Sequence, residues 1–338
     1  MSTALGTQPQ LSALRPAVGA AVFVVFALLT MGLTATLPIG MSVAIVFLFA
    51  GPHNYVEARY FLTRLPARMG RLRGFFAFSA FGIICLTVAY PLLTRIPRWF
   101  SWPRESMIWT IGCWNTALIL WATRLIAMRS AQPPRRNWDY AWPLGIGLIG
   151  ISWLNPLVLP MMMVYLHPLA GLWVLDREIA DRRPGWRRSY RCSLLIVPLL
   201  VAFLWYAVPG ASADESSVSE GIRRQITLHS GGGWVSQTTG YRLIATHAFL
   251  EMLHYAVWIV AIPLASGRVF SRNFNSVPLM KRSELVRKVI RLGLMVSAFV
   301  VVVLWLCFAA DYRLTRDVYF TVATLHVLAE IPFLLRLL

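Results

Sequence analysis

Charge is scarce in this chain: Asp, Glu, Lys and Arg make up 14% of its 338 residues, against 57% hydrophobic. A soluble domain carries roughly 25% charged residues, so soluble enzymes and coiled coils are excluded. Acidic residues are rarer still, 14 against 32 Lys and Arg. Lysine is nearly absent. Lys281 and Lys288 both fall near loop ends, which excludes a retinal-type Schiff base deep in a span. Cys85, Cys113, Cys192 and Cys307 show neither CxxC nor CxxCH spacing. They are expected to be small buried hydrophobes, and a disulfide framework, a zinc ribbon and c-type haem are excluded. No cleavable signal peptide is expected before the first apolar run. The HExxH motif, the HxxxH and HxxHH set of membrane desaturases, Walker A and Asp-rich prenyltransferase motifs are all missing.

What is present is apolar sequence. Mean hydropathy is +0.61, and the charged clusters are separated by apolar runs of about 18 to 25 residues, enough to cross a bilayer core of about 30 Å. The expected fold is an all-α, polytopic integral membrane helical bundle, a single membrane domain over residues 1–338 with about ten transmembrane helices. The spans are read at 17–38, 41–63, 74–95, 107–126, 141–154, 157–176, 191–209, 241–265, 289–309 and 317–337. The connections 64–73, 127–140, 177–190 and 266–288 are strongly basic. By the positive-inside rule they face the cytoplasm, as do both termini. This accounts for the net charge of +18 without nucleic acid, and the expected location is a bacterial inner (plasma) membrane. Two basic connections flank 141–176, so that stretch must be a hairpin turning near Asn155-Pro156. The Gly/Ser-rich segment 210–240 is expected to be a non-cytoplasmic loop, a flexible connection in preference to a lid.

Ionisable groups at membrane depth are costly and point to function. Glu57, Glu251 and Glu330 lie well inside the spans, and each follows a histidine by four residues: His53–Glu57, His247–Glu251 and His326–Glu330. Positions i and i+4 share a helix face. His254 continues the stripe of His247 and Glu251, and His167 is a fifth intramembrane histidine; only His229 falls in a loop. At 1.5 Å of rise per residue, His53, His167, Glu251, His254 and His326 come out level near mid-membrane, His247 about a turn higher, Glu57 and Glu330 about a turn lower. His53, His167, His247, His254, His326, Glu57, Glu251 and Glu330 are therefore candidate metal ligands. Imidazole with carboxylate suits iron, zinc or manganese, and a carboxylate beside a ligating histidine also serves to fix its tautomer.

The run Gly51-Pro52-His53-Asn54-Tyr55-Val56-Glu57 resembles the Pro-His-Gly-x-x-Asp motif of the Brp/Blh family of membrane carotenoid dioxygenases. Asn54 replaces the motif's glycine and Glu57 its aspartate. The resemblance covers about seven residues and implies a helical bundle in which His53 is an iron ligand held with other histidines.

The expected function is an integral-membrane metalloprotein with a His/Glu centre, performing oxidoreductase chemistry on a lipid-soluble substrate such as a carotenoid, isoprenoid, quinone or acyl chain. Its partners are the lipid bilayer and a lipophilic small molecule. Iron is the expected metal, with zinc, manganese or haem as alternatives. A haem electron carrier and a proton-coupled transporter with His/Glu relays are the competing readings.

Overall fold

The computed structural model describes residues 16–66, 69–133, 135–208, 218–266, 278–281 and 283–338. Arg68, Arg268, Arg272, Arg282 and residues 210–217 of the Gly/Ser-rich segment lie outside the described residues. Among the described residues all regular structure is helical, and nine helical runs are long and apolar enough to cross a membrane.

In chain order the helices are α1 (Pro16–Thr36), α2 (Pro38–Arg64), α3 (Arg73–Trp99), α4 (Arg104–Ser130), α5 (Ala141–Leu154) and α6 (Val158–Arg182). They continue with α7 (Arg187–Leu194), α8 (Ile196–Ala207), α9 (Glu220–His229), α10 (Gln237–Ala256), α11 (Ile262–Ser266), α12 (Glu284–Ala310) and α13 (Tyr312–Leu337). α7 and α8 follow one another in a single crossing run, and so do α10 and α11. Between α10 and α11 the chain makes a π-helical turn, Val257–Ala261, just ahead of Pro263. Pro263 has no N–H to give the preceding turn, and the wider turn accommodates that gap.

The fifth expected span, 141–154, is the exception in length. α5 has 14 residues, a rise of about 21 Å, short of a bilayer core of about 30 Å. A short turn at Asn155–Leu157 joins it to α6. The Asn155 side chain accepts the Leu157 N–H at 3.1 Å, and the Asn115 amide on α4 donates to Ser152 Oγ and to the Pro156 carbonyl, both at 2.8 Å.

The described parts of the basic connections 127–140 and 177–190 lie on one face. Arg129 and Arg136 donate to the carbonyls of Leu335 and Leu338 at 3.2 and 3.0 Å, tying the end of α4 to the end of α13. Trp186 joins the cluster containing Ile179, Phe333 and Leu337, and lies so close to Gly19 that a Cβ there would come within 2.8 Å of its ring. The first described turn of α1 therefore sits on that same face. Asp176 clamps the α6–α7 corner there, accepting two hydrogen bonds each from Arg187 (3.3 and 3.0 Å) and Arg191 (2.8 and 2.9 Å).

α10 runs through the middle of the bundle, with 61% of its apolar window buried, against 6% for the peripheral α12. In lipid the outer surface is itself apolar, so an apolar run does not mark the interior. This corrects the expectation for the cysteines, since Cys85, Cys113, Cys192 and Cys307 are unpaired and exposed on the helix surfaces. The expected linker 210–240 also differs from its reading: it carries α9, which buries Ile226, and α10 begins at Gln237.

Candidate metal centre

Four helices deliver the site: α2, α6, α10 and α13. His53 and Glu57 lie one turn apart on α2, and His326 and Glu330 one turn apart on α13, so each helix presents an imidazole and a carboxylate inward. α6 contributes His167, followed by Pro168, whose carbonyl receives Nδ1 of His254 at 3.2 Å. Gly171 makes that contact possible. A Cβ at Gly171 would stand 3.1 Å from His254 Nδ1 and 3.2 Å from Trp258 Nε1.

Three ring nitrogens converge. His326 Nε2 lies 3.4 Å from His53 Nε2 and 3.2 Å from His167 Nε2. The His254 ring completes the group, its centroid 4.6 Å from that of His167 and 5.4 Å from that of His53. Glu330 Oε2 meets His167 Nδ1 at 3.0 Å, and Glu57 Oε2 stands 4.0 Å from His326 Nε2. The two carboxyl groups also adjoin each other. Ligand atoms of His53, Glu57, His254 and His326 fall within 4.8 Å of one another, as do those of His167, His254 and Glu330, the two sets sharing His254.

The tautomers follow from the outer contacts. Nδ1–H of His167 is committed to Glu330 and Nδ1–H of His254 to the Pro168 carbonyl, which leaves each Nε2 as a lone pair. Nδ1 of His53 and of His326 approach the carbonyls of Ala50 and Ala323 in the preceding turn, outside hydrogen-bond geometry. A proton on His326 Nε2 satisfies only one of its two Nε2 neighbours. Nε2 of His254, Oε2 of Glu57 and Oε1 of Glu330 are buried with no hydrogen-bond partner. Unpaired buried polar atoms cost free energy and call for a ligand or an ion. A cation bonded to imidazole nitrogens at about 2.0–2.1 Å in tetrahedral geometry spaces them about 3.3 Å apart, the spacing seen here. The residues fit a metal ion.

His247 and Glu251 do not join this group. Among the described residues neither has a ligand atom in the two clustered sets, and His247 stands seven residues from His254, a rise of about 10 Å. Glu251 lies three residues from His254, turned about 60° around the helix from it. Instead His247 Nδ1 faces Glu251 Oε2 at 3.7 Å, and Glu251 Oε1 accepts the Tyr255 hydroxyl at 2.7 Å. Tyr255 in turn stacks on His53, ring centroids 4.1 Å apart.

His229 packs against His247 at 5.1 Å between ring centroids and against Phe320 at 4.2 Å. Composition hides this contact, because a ten-residue helix lies inside a segment that reads as a linker. His229 stands outside the membrane-spanning helices and keeps part of its surface accessible. Its packing beneath the bundle, then His247 and Arg316, hold its imidazole well below the ordinary value of 6.5. A further buried acid also lay beyond the expected span boundary: α6 extends to Arg182, and its Glu178 accepts the Tyr60 hydroxyl at 2.7 Å and pairs with Arg64.

No protein family, curated protein or solved structure matches this chain.

Proposed function

We propose that this chain is an integral-membrane metalloprotein in which His53, His167, His254 and His326 hold a single cation, iron ahead of zinc or manganese. Glu57 and Glu330 orient or complete the ligand set. The reaction class is oxidoreductase chemistry on a lipid-soluble substrate, such as a carotenoid, isoprenoid, quinone or acyl chain. The observation that carries this reading is the meeting of Nε2 atoms at 3.2 and 3.4 Å with the outer nitrogens of His167 and His254 already committed. A bound ion would supply Lewis acidity or redox capacity. The protein's own part is to fix the tautomers of His167 and His254, exclude water and hold two carboxyl groups beside the ion.

A single ion is favoured over haem because the four imidazoles already pack against one another, ring centroids 4.6 to 5.4 Å apart. They occupy the space a macrocycle needs between two axial ligands. The lipid-soluble substrate class rests on where the centre opens. The side chains of His167 and His326 are 15% and 14% accessible, whereas His53 and His254 are each 1% exposed. Approach is therefore from the α6–α13 side, beside the exposed apolar side chains of Leu166 and Leu325. The side assignment by the positive-inside rule places the Arg-rich face and both termini in the cytoplasm.

The test is elemental analysis of detergent-purified protein. About one equivalent of metal per chain is expected, retained in His229→Gln and lost in His53→Ala and His326→Ala. Protein that stays free of iron, zinc, manganese and copper after purification and add-back would reduce the cluster to buried hydrogen-bonded pairs holding helices together.

A further inference from the structure

We propose that the groove between α1, the α6–α7 corner and the α10–α11 run binds one anionic glycerophospholipid from the leaflet on the Arg-rich side, with an acyl chain in the groove and the phosphate at Arg183. The inference rests on the chain crossing a membrane and is independent of the metal reading.

Three elements build the groove. α1 forms one wall over Pro16–Phe26, the inner end of α6 with Trp186 forms the other, and the run from Leu253 through the π-helical turn to Leu264 forms the floor. It encloses about 350 Å3, within the range of small-molecule sites. Along α1 and along the floor it extends about 16 Å, half of a bilayer core of about 30 Å. Both stretches meet the Arg-rich face at one end, so the groove is one leaflet deep and its inner end, at Phe26 and Leu253, lies near mid-membrane. The open side faces outward, with Val22 and Val260 63% and 52% exposed.

The mouth distinguishes this groove from an ordinary lipid-facing surface. Arg183 is the one charged residue in its lining among the described residues. Arg187 and Arg191, on the same corner, have Asp176 as their counter-charge. Arg183 instead lies over the Trp186 ring at 4.9 Å, and among the described residues no carboxylate pairs with it. A guanidinium matches the geometry of a phosphate, and basic pockets between transmembrane helices on the cytoplasmic side hold anionic headgroups. Trp186 stands where an interfacial ring belongs.

The site is separate from the metal centre. Leu253 precedes His254, but successive residues are turned about 100° around the helix. Leu253 therefore packs with Phe23 and Phe26 of α1, while His254 faces His167 and the Pro168 carbonyl. The lipid is a bound structural partner: it fills the space between α1 and the segment that carries His254.

The experiment uses full-length protein purified in neutral detergent, with phosphatidylglycerol or phosphatidylcholine of identical acyl chains added back. Native mass spectrometry counts bound lipid, and the thermal midpoint is followed alongside. Phosphatidylglycerol is expected to saturate at one molecule per chain and to raise the midpoint, with phosphatidylcholine binding more weakly. Arg183→Gln should weaken phosphatidylglycerol about 5-fold, the effect of one basic residue near the membrane surface, and bring the two lipids level. Ala20→Phe and Val22→Trp fill the groove from α1 and should lower affinity for both lipids. Val22 is 63% exposed, so its replacement keeps the test open where Ala20→Phe fails to fold. Glycerol phosphate without chains should not compete, because the groove itself is apolar. Equal retention of the two lipids by the unaltered protein overturns the site, as does phosphatidylglycerol affinity unchanged in both Arg183→Gln and Val22→Trp. Dimers that come apart in Val22→Trp would assign the groove to a second copy of the chain and overturn it too.

Discussion

Replacing Glu330 by Gln is the sharpest probe of the ligand arrangement, because it changes charge and almost nothing else. Glu330 is 2% exposed, and its Oε2 sits 3.0 Å from His167 Nδ1. The Gln side chain keeps an acceptor oxygen at the same reach, so the His167 tautomer survives while the charge-assisted part of the bond is lost. Removing such an outer partner of a ligating histidine typically costs 10- to 100-fold in metal affinity, about 1.4 to 2.7 kcal/mol. His326→Ala removes a nitrogen that lies within 3.4 Å of two others and should cost considerably more. The expected order of affinity is unaltered protein, then Glu330→Gln, then His326→Ala. Competition against a chromophoric chelator, with Zn2+ or Co2+ in detergent solution, measures it. A Co2+ band in the same position for Glu330→Gln assigns the carboxylate to orienting His167, and a displaced band assigns it to the ion itself. Affinity unchanged within about 2-fold would refute the reasoning, since a charge buried this close to a ligand has to be felt at the metal.

Other outcomes follow from the same geometry. Glu57 stands 4.0 Å from His326 Nε2 and adjoins Glu330, so Glu57→Gln should lower the thermal midpoint of the metal-loaded protein more than that of the metal-free protein; equal shifts in both states would contradict a shared cation. Gly171→Ala places a methyl 3.1 Å from His254 Nδ1 and should weaken metal binding several-fold, about 1 kcal/mol, as the ring is displaced, with Gly171→Leu abolishing it; chelator competition reads both. The His229 imidazole is held below 6.5 in the folded protein, so the folded state binds fewer protons than the unfolded one as pH falls past that value. The docking of α9 should therefore be stable above about pH 6.5 and weaken below it, seen as faster amide exchange in α9, and His229→Gln should remove the acid dependence.

Much of the bundle was legible in the sequence because a membrane fixes one coordinate of every residue. Apolar run length gives the helices, the Arg clusters give their alternation, and a rise of 1.5 Å per residue gives depth. Depth alone brought His53, His167, Glu251, His254 and His326 to one level; in the structure the four rings lie in contact, while Glu251 turns to the Tyr255 hydroxyl instead. Hydropathy could not set the ends of the polar faces. Glu178 lies beyond the read limit of its span because α6 continues to Arg182 past the basic cluster that marks the membrane edge.

The second coordinate, rotation about each helix axis, is what sequence period supplies only coarsely. His247, Glu251 and His254 share a stripe by spacing, yet a stripe two turns long passes through two chemical neighbourhoods. At its inner end His254 meets the other imidazoles; at its outer end His247 meets His229 and Arg316. The i,i+4 rule identifies which side chains can touch along one helix, and it is silent on which neighbouring helix each of them faces. That choice was made by small residues and turns: Gly171 lets His254 close on the Pro168 carbonyl, and the short helix Glu220–His229 brings a histidine back over the bundle. The same three positions on α10 thus place one imidazole among those of α2, α6 and α13 and another against α9, and the partners contributed by α6 and α9 separate the two neighbourhoods.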